Sequence, residues 1–204
     1  MLSQGDISGE ENLVDYFRGY FGRNYVGLIH RLDRNTSGIM IVGKRTKAAN
    51  RLTESLRKGE LKRSYLAIVE GEVAEQGTLE DYLHKDEKTN ESRVVDSTHK
   101  EAKRARLSFE RVATTAFKGK KVSLVHITLD TGRSHQIRVQ FSHAGHPLLG
   151  DSKYRSKITQ PGRPALHSYS LEVPHPMDED TLLSYKDPLP LDLAALLPSG
   201  TPLP

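Results

Sequence analysis

Asp33 is the residue of this chain best placed to do chemistry. It lies between Arg31 and Arg34, behind His30 and ahead of Thr36, Ser37 and Gly38, and only then does an apolar run, Ile39 to Val42, begin. With a guanidinium on either side, the carboxylate is an anion at neutral pH rather than a general acid. An anion on such a turn has three ordinary uses: a structural ion pair, a metal ligand, or a nucleophile or base. On local features the first weighs as much as the other two together, so the surrounding chain has to decide.

Four further polar clusters follow in order. Lys62, Arg63, Ser64 and Tyr65 open an apolar strand; Arg133, Ser134, His135, Gln136, Ile137 and Arg138 follow the turn Asp130-Thr131-Gly132; Gly145 to Tyr154 reads GHPLLGDSKY; and Leu166 and His167 lead to His175 and Pro176. In that order the five segments resemble the RluA-type pseudouridine synthases. His30 to Gly38 matches their HRLDxxTSG motif, Tyr65 lies in a K-x-Y-x-A-like segment, Arg133 to Arg138 is similar to GRxHQIR, and Leu166 to Pro176 is similar to LHxxxLxxxHP. Nine motif residues in register before an apolar run make the match specific.

The elements that must position these residues are read from periodicity. Leu13, Val14, Phe17 and Phe21 recur at helical spacing and predict an amphipathic helix ending near Gly22, after a polar, turn-like lead-in at Leu2 to Asp6. Ile39 to Val42 reads as a buried strand. Thr46 is expected to cap a helix with Ala48, Ala49, Leu52 and Leu56 on one face, and Gly59 to stop it. Strands are expected at Thr78 to Leu83, at Arg93 to Val95 and through Ala105, Leu107 and Phe109, whose alternation with Arg104, Arg106 and Ser108 is that of a half-exposed strand. Val122 to Leu129 should pair with that strand. Ile137, Phe141 and Ala144 predict a helix with Arg133 at its positively polarised start and Pro147 at its end, and His167, Tyr169, Leu171 and Val173 share one strand face.

At 204 residues the chain suits one packed domain. It has no cysteine, which removes disulfides, thiol nucleophiles and zinc-thiolate sites and fits a reducing cytoplasm. No apolar run approaches membrane-spanning length, so no membrane partner is expected. The net charge of +4 is unevenly distributed: His30 to Arg63 carries ten Lys or Arg against three acids, His99 to Lys121 eight against two, and Glu172 to Pro204 one lysine against six acids. Basic blocks of this kind suit a phosphate backbone.

The resemblance supplies the rest. It implies an α+β fold with a mixed, largely antiparallel central sheet, flanking helices and an RNA-binding cleft. Residues 1–176 would form one catalytic domain without the S4-like domain many members carry and with the usual first strand missing, and residues 177–204 an acidic, proline-rich extension. It implies conversion of uridine to pseudouridine in ribosomal or transfer RNA by a cytoplasmic monomer with no metal and no cofactor. Asp33 would be the nucleophile or the base that removes a ribose proton; Tyr65 would stack on the flipped base, and Arg133 would pair with Asp33. Leu166 would line the base pocket, supported by Arg31, His135 and Gln136, while Arg34, Lys44, Arg45, Lys62, Arg63 and Arg138 would hold RNA. Two competitors stand beside this reading. One is a metal hydrolase built on His30, His135, His143, His146 and His167, whose spacings match no ligand motif; the other is an RNA-binding module in which Asp33 only braces two arginines.

Overall fold

A computed structural model describes residues 11–22 and 24–204, so the expected lead-in at Leu2 to Asp6 lies outside the described residues. The fold is mixed α+β and its strand pairs run mostly antiparallel. Among the described residues no helix is long and apolar enough to cross a membrane. The chain divides into two compact units, one formed by the chain up to Arg63 with Ser168–Asp187, the other by Ser64–His167 with Pro188–Pro204.

In the first unit, helix α1 (Leu13–Phe21) starts where the Asn12 side chain accepts the Asp15 amide and stops at Gly22, whose left-handed conformation ends it as expected. Two short strands, β1 (Gly27–Leu28) and β2 (Ser37–Gly38), flank the Asp33 loop, and β3 (Val42–Gly43) pairs antiparallel with β1. Helix α2 (Thr46–Lys58) ends at Gly59, also left-handed. Its N-cap is Arg45, not Thr46, and no side chain caps it; Thr46 is the first helical residue, and Lys58 and Arg57 sit in its last turn, where they complement the helix dipole. Ala49 and Leu52 pack with Ile29, Leu61, Leu171 and Val173, and Ile39, Ile41 and Leu56 close over them.

The expected strand at Ile39 to Val42 is a correction. Only Val42 belongs to a strand, and Ile39, Met40 and Ile41 are half-buried irregular chain. Their apolar side chains are needed by the core, but the Ile39 and Ile41 backbone is held by bonds to Ser168 and to the His30 side chain instead of a continuous ladder. Strand β9 (Leu166–His175) alternates from Tyr169 to Val173 as predicted. The acidic stretch after Met177, expected to trail as an extension, carries strand β10 (Asp178–Lys186), which pairs with β9 from His175 back to Ser170.

In the second unit β4 (Lys62–Glu70), shared at its first two residues with the first unit, pairs antiparallel with β8 (Lys120–Leu129), β8 with β7 (Lys103–Phe117), β7 with β5 (Gln76–Asp86), and β5 with β6 (Glu91–Val95). The β7–β8 hairpin turns on Lys118 and Gly119, both at positive φ, the geometry a two-residue hairpin loop requires. Helix α3 (Gln136–His143) lays Val139 against Leu83, Ala105 and Tyr154, and Phe141 edge-on against Phe109. It begins three residues after Arg133 and ends before Ala144, which is exposed, so neither the expected start nor the Pro147 stop is where the sequence pattern put it. Helix α4 (Leu191–Ala194) buries Leu193, and Asp192 receives the Arg163 guanidinium through two bonds of 2.7 and 3.1 Å.

Candidate active site

The first unit holds Asp33 on a loop fastened at both ends. His30, only 7% exposed, accepts the Ile41 amide on Nε2 at 3.2 Å, across residues 31–40. Ser168 makes the second fastening: its carbonyl accepts the Ile39 amide at 3.0 Å and its hydroxyl donates to the Ile39 carbonyl at 2.9 Å. Between them the Thr36 amide donates to the Asp33 carbonyl, which closes the turn. Gly38 is required where this loop crosses β9. Its φ of 112° disfavours a side chain, and a Cβ there would collide with the Ser168 backbone, 2.6 Å from its nitrogen.

Burial first, and the positive charge of Arg63 second, push the His30 pKa down to about 4. The ring is therefore neutral at physiological pH, and because Nε2 accepts, its proton sits on Nδ1. That Nδ1 is buried with no partner among the described residues, and so is Arg63 Nε. Asp33 is half-buried, neither sealed from solvent nor fully exposed. Arg31, Arg34, Lys44, Arg45 and Lys62 are exposed, whereas Arg63 is half-buried.

The second unit holds Tyr65, Arg133 and Leu166. Tyr65 and Leu166 are buried, 5% and 4% exposed, and Tyr65 stands opposite Ile127 in the ladder. Arg133 is exposed at the end of a turn that Gln136 organises. The Gln136 Oε1 accepts from the Thr131 hydroxyl at 2.7 Å and the Arg133 amide at 3.0 Å, while its Nε2 donates to the Arg106 carbonyl at 3.1 Å. The Arg133 Nε itself donates to the Arg104 carbonyl at 2.9 Å.

His135 follows at positive φ, with Nδ1 2.8 Å from the Tyr154 hydroxyl. That hydroxyl also accepts the Ser92 amide at 2.9 Å, and the Ser92 hydroxyl returns to the Ser134 carbonyl at 2.7 Å. The turn bearing Arg133 is thus tied to β7 on one side and to β6 on the other. Gln136 thus holds main chain directly, whereas His135 holds the Tyr154 hydroxyl that accepts the Ser92 amide.

Arg138 is a correction. Expected to reach RNA, it is 8% exposed and paired bidentately with Asp151 at 2.6 and 2.8 Å, its guanidinium 5.0 Å from the centre of the Tyr154 ring. A buried guanidinium needs such a partner, so this arginine fastens α3 to the segment after it. Sequence reasoning also missed Ser168, Ser92, Tyr154 and Thr131. Ser168 and Tyr154 lie inside motif segments and Thr131 in the turn before Arg133, and these could have been singled out; Ser92 carries no local signal. His146, one of the histidines weighed for a metal, has its Nδ1 2.8 Å from the Glu70 carbonyl, and among the described residues no three metal-ligating side chains gather.

Residues 2–143 match the family model described as RNA pseudouridylate synthase. The chain is 34% identical to ribosomal large subunit pseudouridine synthase D of Nitrosomonas europaea, over 87% of this chain and 52% of that protein. It is 35% identical to an uncharacterised RNA pseudouridine synthase of Bacillus subtilis, over 91% of this chain and 63% of the relative. The chain therefore spans between half and two thirds of the length of these curated relatives. Among solved structures, human RNA pseudouridylate synthase domain containing 1 superposes with a TM-score of 0.76 over 91% of this chain and 76% of that one, at 24% identity, a likeness of fold.

Proposed function

From its membership of the RNA pseudouridylate synthase family, to which the chain belongs, we propose that this protein converts uridine to pseudouridine in structured RNA, ribosomal or transfer, in the cytoplasm and as a monomer. The bond between uracil N1 and the ribose C1′ breaks, the base turns while held, and C5 bonds to C1′ with loss of the C5 hydrogen as a proton while the freed N1 takes up one. Asp33 is the nucleophile, or the base that takes a ribose proton; an ionised carboxylate serves either role. The matched motifs give Tyr65 and Leu166 the uracil and Arg133 the Asp33 carboxylate as their parts in the reaction. These roles rest on the matched motifs, residue by residue.

The observation that carries the reading is the Asp33 loop. It is fastened at His30 and Ser168, half-open at Asp33, and rimmed by the exposed cations Arg31 and Arg34. A carboxylate that only braced two arginines would not need a loop pinned at both ends. Drawing a nucleotide out of a helix costs a few kcal/mol, and phosphate contacts from the basic segments would offset it.

The test is release of tritium from RNA labelled at uridine C5, with a chelator present. The protein should release label, and Asp33→Asn should abolish release while RNA affinity stays within a few-fold. RNA binding without release would mean a non-catalytic module, and a mutant that turned over normally would remove Asp33 from the mechanism.

A further inference from the structure

Helix α1 buries none of its residues, although its sequence is amphipathic. Five of the thirteen aromatic residues of the chain, which has eight Tyr and five Phe, lie between Tyr16 and Tyr25. They divide by face. Phe17 and Phe21 are half-buried and stacked, 5.6 Å between centroids, whereas Tyr16 and Tyr20 point outward, 56% and 72% exposed, with ring planes within 11° of each other. Tyr25, 40% exposed, follows in the next loop.

Single exposed apolar residues need no explanation, but neighbouring rings aligned on one helix face do. A tyrosine offers a flat apolar face while its hydroxyl stays in water, which suits a partner that is itself flat and wet. The charge beside the rings is positive. Lys44 Nζ sits 4.8 Å from the Phe21 ring centre, and from there the exposed run Lys44, Arg45 and Lys47 begins. The nearest acid on the helix, Asp15, is already taken by Arg18 and Asn12. Rings next to cations that form no ion pair among the described residues complement a chain of bases on a phosphate backbone and fit an apolar protein surface poorly.

We propose that Tyr16 and Tyr20 of α1, with Lys44 over the Phe21 ring that adjoins Tyr20, form a stacking platform for unpaired nucleotides of the RNA, the rings meeting bases and the lysine meeting phosphodiesters. This rests on the proposed function only in taking RNA as the substrate, and it does not require Asp33 to be catalytic. It predicts that the protein favours RNA whose target lies beside a single-stranded stretch.

The experiment is fluorescence anisotropy of the full chain with a labelled single-stranded RNA of about ten nucleotides, within the usual range of such sites, and with the matching duplex. The Tyr16→Ala/Tyr20→Ala protein should bind the single strand at least tenfold more weakly and the duplex within twofold. Tyr16→Phe/Tyr20→Phe should bind like the parent, because the ring is what stacks. Lys44→Ala should lower the salt dependence of binding. Both rings are exposed, so the melting temperature should not move.

Unchanged single-strand affinity in the alanine protein overturns the platform, as does an equal loss for duplex. So does a phenylalanine protein as weak as the alanine one. Self-association removed by the alanines with RNA affinity intact would make the face a protein contact and likewise overturn it. Because binding is read without turnover, a protein that bound through these tyrosines yet released no tritium would sink the proposed function and leave the platform standing.

Discussion

The Nε2 of His30 accepts the Ile41 amide at 3.2 Å, and the loop closed by that bond carries Asp33. The bond spans the loop with a side chain, so one of the two fastenings that position Asp33 is an imidazole. Replacing His30 with Leu leaves the Ile41 amide without an acceptor and should cost about 1–3 kcal/mol. Tritium-release kcat should fall at least tenfold with RNA affinity little changed. Gln at the same position can present an oxygen near Nε2 and should restore most of the rate, whereas equal losses in both variants would show that only ring packing matters.

The same histidine sets a pH dependence. Its folded pKa, pushed down to about 4, lies below the ordinary value of 6.5, so between these the unfolded chain binds a proton that the folded chain does not. The contribution of His30 is therefore fully present above pH 6.5, declines as pH falls, and levels off below 4, a change of about 3 kcal/mol. Urea midpoints of the protein and of His30→Gln, compared from pH 7 to 4, should converge by roughly that amount. Parallel curves would contradict it.

Gly38→Ala should be among the most damaging single substitutions. The left-handed backbone and the collision with Ser168 act together, since neither backbone can yield without breaking the Ile39 bonds. A loss above about 2 kcal/mol is expected, read as a lower melting temperature. A fully stable alanine protein would mean that the loop crosses β9 less closely.

In the second unit, Arg138→Ala should destabilise by about 3–5 kcal/mol, because Asp151, 1% exposed, would be left buried without its partner. The double replacement Arg138→Met/Asp151→Leu should recover part of that. RNA affinity of the folded fraction should be unchanged, which separates this ion pair from a phosphate contact.

Tyr154→Phe deletes one hydroxyl that serves both Ser92 and His135. It should cost about 1–3 kcal/mol and loosen the turn carrying Arg133. Faster hydrogen exchange at the Ser92 amide is the direct readout, and unchanged exchange would show that water replaces the hydroxyl.

What the sequence determined by itself has local causes. Helix α1 stops at Gly22 and α2 at Gly59 because a left-handed glycine ends a helix wherever the rest of the fold lies, and Ala105, Leu107 and Phe109 face inward because a strand alternates. The motif around Asp33 is contiguous, so the family could be read from it before any coordinate was known. Only the tertiary structure decided the rest. Ile39 to Ile41 are apolar yet not a strand, since their hydrogen bonds go to His30 and Ser168; Arg138 is charged yet buried, since Asp151 lies thirteen residues on; and the acidic Asp178–Lys186 is a strand because β9 lends it an edge. Each of these outcomes depends on which partner the fold sets alongside, from the adjoining strand of a hairpin to Ser168, 129 residues from Ile39, and a residue's immediate neighbours do not fix that partner.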